Sequence, residues 1–177
     1  MNIVLLTGSA HRSGTTAALA REFQRGAEDA GHEVFRFDAA FHDVHPCIGC
    51  DRCRREGVCT FAADDMKRLN PHLLAAEAVV FVSPIYYFDL SAQLKAVIDR
   101  FYANDDALHG GKRALLLTAM ADEDLGAAEG ADATFRSICA YLQWENAGIL
   151  NAAGASTAED LTEEDLRRAY DLGKTLK

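Results

Sequence analysis

Four of the five cysteines, Cys47, Cys50, Cys53 and Cys59, crowd into PCIGCDRCRREGVC (Pro46 to Cys59), spaced C-x2-C-x2-C-x5-C. Thiolates this close can share one inorganic centre. Four suffice for a [4Fe–4S] cubane, the x2 gaps letting three converge on one face while the fourth arrives from a short loop. Zinc also takes four thiolates, but two overlapping x2 gaps differ from the usual pair of separated C-x2-C knuckles. His42 and His45 stand near enough to substitute as ligands, although loop histidines ordinarily face solvent. Cys50 and Cys53 form a C-x2-C that could work as a redox dithiol. A loop with no centre at all is the remaining alternative. Cys139 lies apart, between Ile138 and Leu142 in a helical pattern, and reads as a buried apolar residue.

A second chemistry-bearing stretch is TGSAHRSGTTAAL, Thr7 to Leu19. Ser9, Ser13, Thr15 and Thr16 surround Gly8 and Gly14, and a helical pattern follows at once. A helix N-terminus presents free N–H groups and the positive end of the helix dipole, which suits a phosphate. Neither G-x-G-x-x-G nor G-x-x-x-x-G-K-[ST] occurs, so the dinucleotide and triphosphate fingerprints are missing. A hydroxyl-rich loop with little charge fits a monophosphate held by neutral donors; a Ser/Thr-rich helix start with no ligand is the alternative. A third stretch, SPIYYFDL, places Pro84, Ile85, Tyr86, Tyr87 and Phe88 after an apolar run. Such residues at a strand end can support a flat ring.

These stretches must be positioned by the elements around them. Apolar runs at Asn2–Gly8, His32–Asp38, Ala78–Pro84, Lys112–Met120 and Ala147–Gly154 read as strands. Helical patterns separate or follow them: one carrying Leu19, Phe23, Ala27 and Ala30, then Asp64–Glu77 with a kink or break at Pro71, Ser91–Ala103 with Ser91 as N-cap, Ala131–Trp144, and Leu161–Lys177 with a Thr162/Asp165 capping box. Strict β-α alternation with strands apolar on both faces predicts a parallel sheet covered by helices on both sides. The expected fold is a three-layer α/β architecture with five strands in the order 2-1-3-4-5, one domain over residues 1–177, and a ligand site at the C-terminal strand ends beside the first strand. Two long loops, Ala39–Ala63 and Ala121–Asp132, are where function is expected.

Together, GSAHRSGTT and SPIYYFDLSAQLKAVIDRF resemble the flavodoxin-like NAD(P)H-dependent FMN reductases, and LLLTAM, YLQWENAGIL and the closing helix extend the likeness over almost the whole chain. The resemblance implies that Ser9, Arg12, Ser13, Gly14, Thr15 and Thr16 hold the FMN phosphate. It implies that Pro84, Ile85, Tyr86, Tyr87 and Phe88 lie against the isoalloxazine, and that Thr118, Ala119 and Met120 begin a third loop lining its other side. Many relatives carry a glycine in that loop, where this chain has TAMAD. The implied activity is hydride transfer from NAD(P)H to flavin, with electrons passed on to a flavin, quinone, nitro compound or protein acceptor, aided by backbone N–H groups near the reduced ring. The implied assembly is a homodimer or homotetramer. The cysteine loop resembles the iron–sulfur flavoproteins of the same fold, in which a [4Fe–4S] cluster follows the second strand. Plain FMN reductases also keep a PCxGCxxC loop, so the alternatives for the four thiols stay open. An electron carrier, and a flavin-free sensor on the same scaffold, are the competing functions.

Bulk properties agree with such a protein. The chain has 177 residues, 49% hydrophobic, and a formal net charge of -9, which disfavours nucleic acid and anionic membrane as partners. The start, MNIVLLTGSA, lacks a basic leader, and the longest apolar run is broken at Ser83 and Pro84. A cytoplasmic location is the expectation, with thiols kept reduced.

Overall fold

A computed structural model describes all 177 residues. Five parallel strands run β1 (Asn2–Thr7), β2 (Glu33–Asp38), β3 (Ala78–Tyr86), β5 (Arg113–Ala119) and β6 (Glu145–Ala152). β4 (Asp89–Leu90) is a two-residue antiparallel strand folded back on β3. The sheet order is β2-β1-β3-β5-β6. Counting the parallel strands alone, this is the expected 2-1-3-4-5.

Alternation along each strand divides the interior. Val4, Leu6, Val79, Phe81, Ala114 and Leu116 face one layer, with Leu94, Phe101, Phe135 and Trp144. Ile3, Leu5, Val80, Val82, Leu115 and Leu117 face the other, with Leu19, Phe23 and Ala169. The first layer is built by α3 (Met66–Ala75), α4 (Ala92–Asp99) and α6 (Glu129–Leu142), the second by α1 (Thr15–Asp29) and α7 (Glu163–Thr175). Short α2 (Arg52–Glu56) and α5 (Asp105–Leu108) complete the helices. Strands buried on both faces explain the unbroken apolar runs.

α1 and α7 cross at backbone distance. A Cβ on Gly26 would fall 2.0 Å from Tyr170 O, and one on Gly173 would fall 2.1 Å from Phe23 O. Glycine is required at both positions because any side chain would force the helices apart.

Four local expectations need correction. Pro71 lies inside α3 without breaking it; the face of Met66, Leu69 and Leu73 is fully buried and holds the helix against the sheet. Helix α4 ends at Asp99 and tightens into a 3-10 stretch over Arg100–Asn104. Trp144 lies beyond α6, its ring buried and its Nε1 donating to Leu108 O at 2.6 Å. The cysteine loop contains a helical turn, α2, where only loop was expected. Thr162 and Asp165 do form the capping box at the start of α7.

Candidate functional site

A cavity of about 680 Å³ opens at the C-terminal ends of β1, β3, β5 and β6, within the size range of small-molecule sites. Its first wall is the loop between β1 and α1, where Ser9, His11, Ser13, Gly14, Thr15 and Thr16 line the space. Gly14 caps α1 in extended conformation with no side-chain cap and no acidic residue in the first turn. The first helical bond runs from Ala18 N–H to Gly14 O, 3.1 Å, so the N–H groups of Thr15, Thr16 and Ala17 are not engaged in the helix ladder. The buried hydroxyls of Thr15 and Thr16 stand with these N–H groups at the positive end of the helix. That donor set fits a phosphate monoester.

The loop is fixed from below. Gly8 N–H donates to Val82 O at 2.8 Å, and Ser91 Oγ donates to Gly8 O at 2.8 Å. Ser91 N–H donates to Ser83 Oγ, which in turn donates to Pro84 O. One chain of bonds thus joins the first loop, the end of β3 and the N-cap of α4.

The second wall is Pro84, Ile85 and Tyr86, and the third is Ala119, Met120 and Ala121. These supply an apolar surface suited to a flat ring. A fourth wall, Ala155 to Glu159 after β6, was missed in the sequence. Its signal was present: Ser156 and Thr157 repeat the hydroxyl chemistry of the first loop at another strand end, and Thr157 makes a capping box with Asp160.

Four of the expected contact residues stand outside this lining. Tyr87 and Phe88 form the tip of the β3–β4 hairpin, with φ of 47° and 67°, and are 99% and 64% exposed. The hairpin projects them outward because two left-handed residues turn the chain between Tyr86 and Asp89. Thr118 is fully buried and donates to Asn151 Oδ1 at 2.6 Å. Arg12 leaves the loop on its far side, its guanidinium 3.7 Å above the Phe41 ring.

The four clustered cysteines line one small cavity of about 20 Å³, with Asp51, Phe61, Arg100 and Tyr102. It shares no lining residue with the larger one. All five cysteines are free thiols. Left-handed Gly49, Asp51 and Gly57, with φ of 64°, 55° and 72°, fold the loop back on itself. Cys50 Sγ lies 3.2 Å from Thr60 Oγ1, and that hydrogen bond, helped by the Arg52 N–H, lowers its pKa below the ordinary thiol value. Arg54 ties the loop to Asp105 at 2.8 Å and Asp106 at 3.1 Å, and Tyr102 donates to Asp51 at 3.0 Å. Arg100 lines the same cavity, is buried, and its Nε has no acceptor in the protein. Four thiols and an orphaned donor share this lining, a donor set of the right chemistry for a sulfur-rich anion, but the space of about 20 Å³ is that of a single water. No cluster of three or more His, Cys, Asp or Glu side chains is drawn tight enough for a single metal ion. Neither His42 nor His45 lines the cavity; they stack on Phe37 and on the outer side of the site at Phe61, at 4.2 and 4.7 Å. Cys139 is buried in the first layer, and desolvation pushes its thiol up to about 11. No helix is long and apolar enough to cross a membrane.

Comparison with known proteins places this arrangement. An iron-sulfur flavoprotein of Methanocaldococcus jannaschii is 33% identical over 100 residues, 56% of this chain and 51% of that protein. An FMN-dependent NADH:quinone oxidoreductase of Methylorubrum extorquens is 31% identical over 126 residues, 63% of this chain and 62% of that protein. The chain spans about half the length of the iron-sulfur flavoproteins it matches. Among solved structures, an NAD(P)H:quinone oxidoreductase from Methanothermobacter marburgensis superposes with a TM-score of 0.73 at 20% identity, covering 99% of this chain and 95% of that one. That likeness shows a flavodoxin-like fold. The model of the NADPH-dependent FMN reductase family matches residues 1–149, a span containing the phosphate-type loop, the apolar second and third walls and the cysteine loop, and the chain belongs to that family.

Proposed function

We propose that residues 1–177 form one FMN-binding domain of an oxidoreductase, which takes hydride from NAD(P)H and passes electrons to a flavin, quinone, nitro compound or protein acceptor. The observation that carries this reading is the 680 Å³ cavity, with neutral donors at one end and an apolar surface at the other. Bound FMN would supply the hydride-accepting and electron-releasing chemistry. Ser9, Ser13, Thr15 and Thr16 hold its phosphate, together with the free N–H groups of α1. Pro84, Ile85, Ala119 and Met120 exclude water from the ring and set its orientation. Arg12, Tyr87 and Phe88 stand outside the lining, open to a second subunit, and Thr118 supports the third wall from beneath through Asn151. A homodimer or homotetramer is supported by exposed Tyr102 and Tyr141 beside a 660 Å³ groove between α4 and α6. Five free thiols support a reducing compartment, the cytoplasm.

The test is anaerobic mixing of FMN-loaded protein with NADH and NADPH. Rapid bleaching of the flavin absorbance is expected. FMN-loaded protein that only a ferredoxin-type donor reduces would instead be an electron carrier.

A second reading is favoured by one observation: Cys47, Cys50, Cys53 and Cys59 line a single cavity beside an unpartnered Arg100 Nε. In that reading the four thiolates hold a [4Fe–4S] cluster and the protein relays electrons through it. Iron and acid-labile sulfide assays on protein never exposed to oxygen decide it. About four irons per chain support the cluster; none returns the thiols to a structural or dithiol role.

A further inference from the structure

The space enclosed by the cysteine loop, about 20 Å³, admits one heavy atom. A cubane of four irons and four sulfides enters it only if the loop opens. The loop is tied shut, because Arg54 pairs with Asp105 and Asp106 and Tyr102 donates to Asp51 at 3.0 Å. Cys53 and Cys59 are half-buried against the space, whereas Cys47 and Cys50 are exposed. Arg100 lines it too and is only 3% exposed. Its outer nitrogens are engaged: Nη1 donates to Asp64 and to His45 O at 2.8 Å, and Nη2 to Phe61 O at 3.1 Å. Neither His45 nor Asp64 lines the space, so Nε is the edge of the guanidinium left for the thiols. Nε is buried and has no acceptor in the protein, and a buried charged donor left unpaired is costly. The carboxylates of the lining do not relieve it: Tyr102 engages Asp51, and Lys95 engages Asp99.

We propose that this space seats one sulfane sulfur, carried as a persulfide on Cys53 or Cys59, with Arg100 Nε–H donating to the terminal sulfur. The substrate class is a low-molecular-weight persulfide, R–S–SH. The step is an exchange at sulfur. The cysteine Sγ bonds to the donor's outer sulfur, the donor's S–S bond breaks, and the cysteine proton leaves on the departing thiol. The products are Cys–S–SH and R–SH, so no net oxidation or reduction occurs and no other reagent is consumed. A sulfur atom suits the walls better than a sulfenate oxygen would. One N–H and the apolar sides of Ile48 and Phe61 leave an oxygen short of donors, whereas soft sulfur is a weak acceptor that needs few. The space shares no lining residue with the cofactor cavity, so the inference stands apart from the flavin chemistry. It is the alternative to a cluster on the same thiols.

The experiment uses FMN-loaded protein prepared without oxygen, incubated with glutathione persulfide and freed of excess reagent by gel filtration. Cyanide then converts retained sulfane sulfur to thiocyanate, which is counted per chain, and peptide mass spectrometry locates the added sulfur atom. One sulfur per chain on Cys53 or Cys59 is expected, lost to cyanide about tenfold more slowly than from urea-unfolded protein. Arg100→Lys keeps a charge for Asp64 but has no donor at the Nε position. It should hasten the loss of sulfur about tenfold, the effect of one hydrogen bond, with FMN content and the urea midpoint reporting that the fold is kept. Should that variant unfold, Cys53→Ser and Cys59→Ser carry the test, and at least one of them should abolish retention. No retained sulfur would leave the space to a water and overturn the assignment. So would sulfur spread over all four thiols or confined to Cys47 or Cys50, an unchanged rate in folded Arg100→Lys, or wild-type retention in both serine variants. About four irons per chain in the untreated protein would overturn it as well, because a cluster engages every thiol.

Discussion

Arg100 and Asp64 form an ion pair in which each side chain is only 3% exposed, Nη1 lying 2.5 Å from Oδ2. The same guanidinium donates to His45 O at 2.8 Å and Phe61 O at 3.1 Å. Asp64 also accepts from the N–H groups of His45 and Met66. These contacts grip both ends of the cysteine loop. A desolvated charge is tolerable only while paired, so removing one partner leaves the other stranded. Arg100→Met or Asp64→Ala should each cost about 3–5 kcal/mol in urea unfolding, and the double substitution to apolar residues should cost less than the sum. Additive losses would mean that the pair does not act as a unit.

Thr15 and Thr16 present buried hydroxyls beside unengaged N–H groups. Thr15→Ala combined with Thr16→Ala should weaken FMN binding, each lost bond to a charged acceptor being worth ~1–3 kcal/mol. A fluorescence titration reads this directly. Wild-type affinity in the double variant would place the phosphate elsewhere.

Much of this layout was legible before any coordinates. Unbroken apolar runs such as Ala78–Pro84 declare strands buried on both faces, and five of them alternating with helices leave few topologies. The first loop was legible because hydroxyls and glycines before a helix have a local meaning. The direction in which Arg12 leaves that loop was not, since it depends on Phe41, contributed by a distant turn. Nor was the exclusion of Tyr87 and Phe88 from the cavity. Aromatic residues after a strand look like a ring platform, and only the pairing of Tyr86 with Asp89 turns them outward. The wall at Ala155–Glu159 escaped because no α-helix starts directly after Ser156 and Thr157, as α1 does after Ser13 and Gly14.

Cys139 gives a pH dependence. Burial raises its thiol from an ordinary 9.0 to about 11. Below about pH 9 the thiol is protonated in both states and contributes no slope. Between those values the unfolded chain loses the proton while the folded protein keeps it, so stability falls as pH rises, by at most ~1.4 kcal/mol per pH unit. Urea midpoints across that window should decline more steeply in wild type than in Cys139→Val. Iodoacetamide at mildly alkaline pH should label the loop thiols of the metal-free protein and spare Cys139 until it unfolds.

Left-handed Tyr87 and Phe88 occupy a two-residue hairpin turn that favours Asn-Gly. A non-glycine residue there costs roughly 1–2 kcal/mol. Tyr87→Asn with Phe88→Gly should raise the unfolding free energy by ~1–2 kcal/mol. Unchanged stability would show that the two rings are repaid by contacts of their own, as a second subunit would provide.

The glycine crossing of α1 and α7 has a consequence for how the protein is made. Gly26 lies against the Tyr170 backbone and Gly173 against the Phe23 backbone, although about three quarters of the chain separates these helices in sequence. Helix α1 carries the phosphate-type loop at its start, so the seat for the anion rests on a helix whose outer face is covered only when α7 arrives. On the ribosome, the loop residues emerge well before α7 and wait for it before their support is complete. Flavin capture should therefore follow the release of α7 from the exit tunnel.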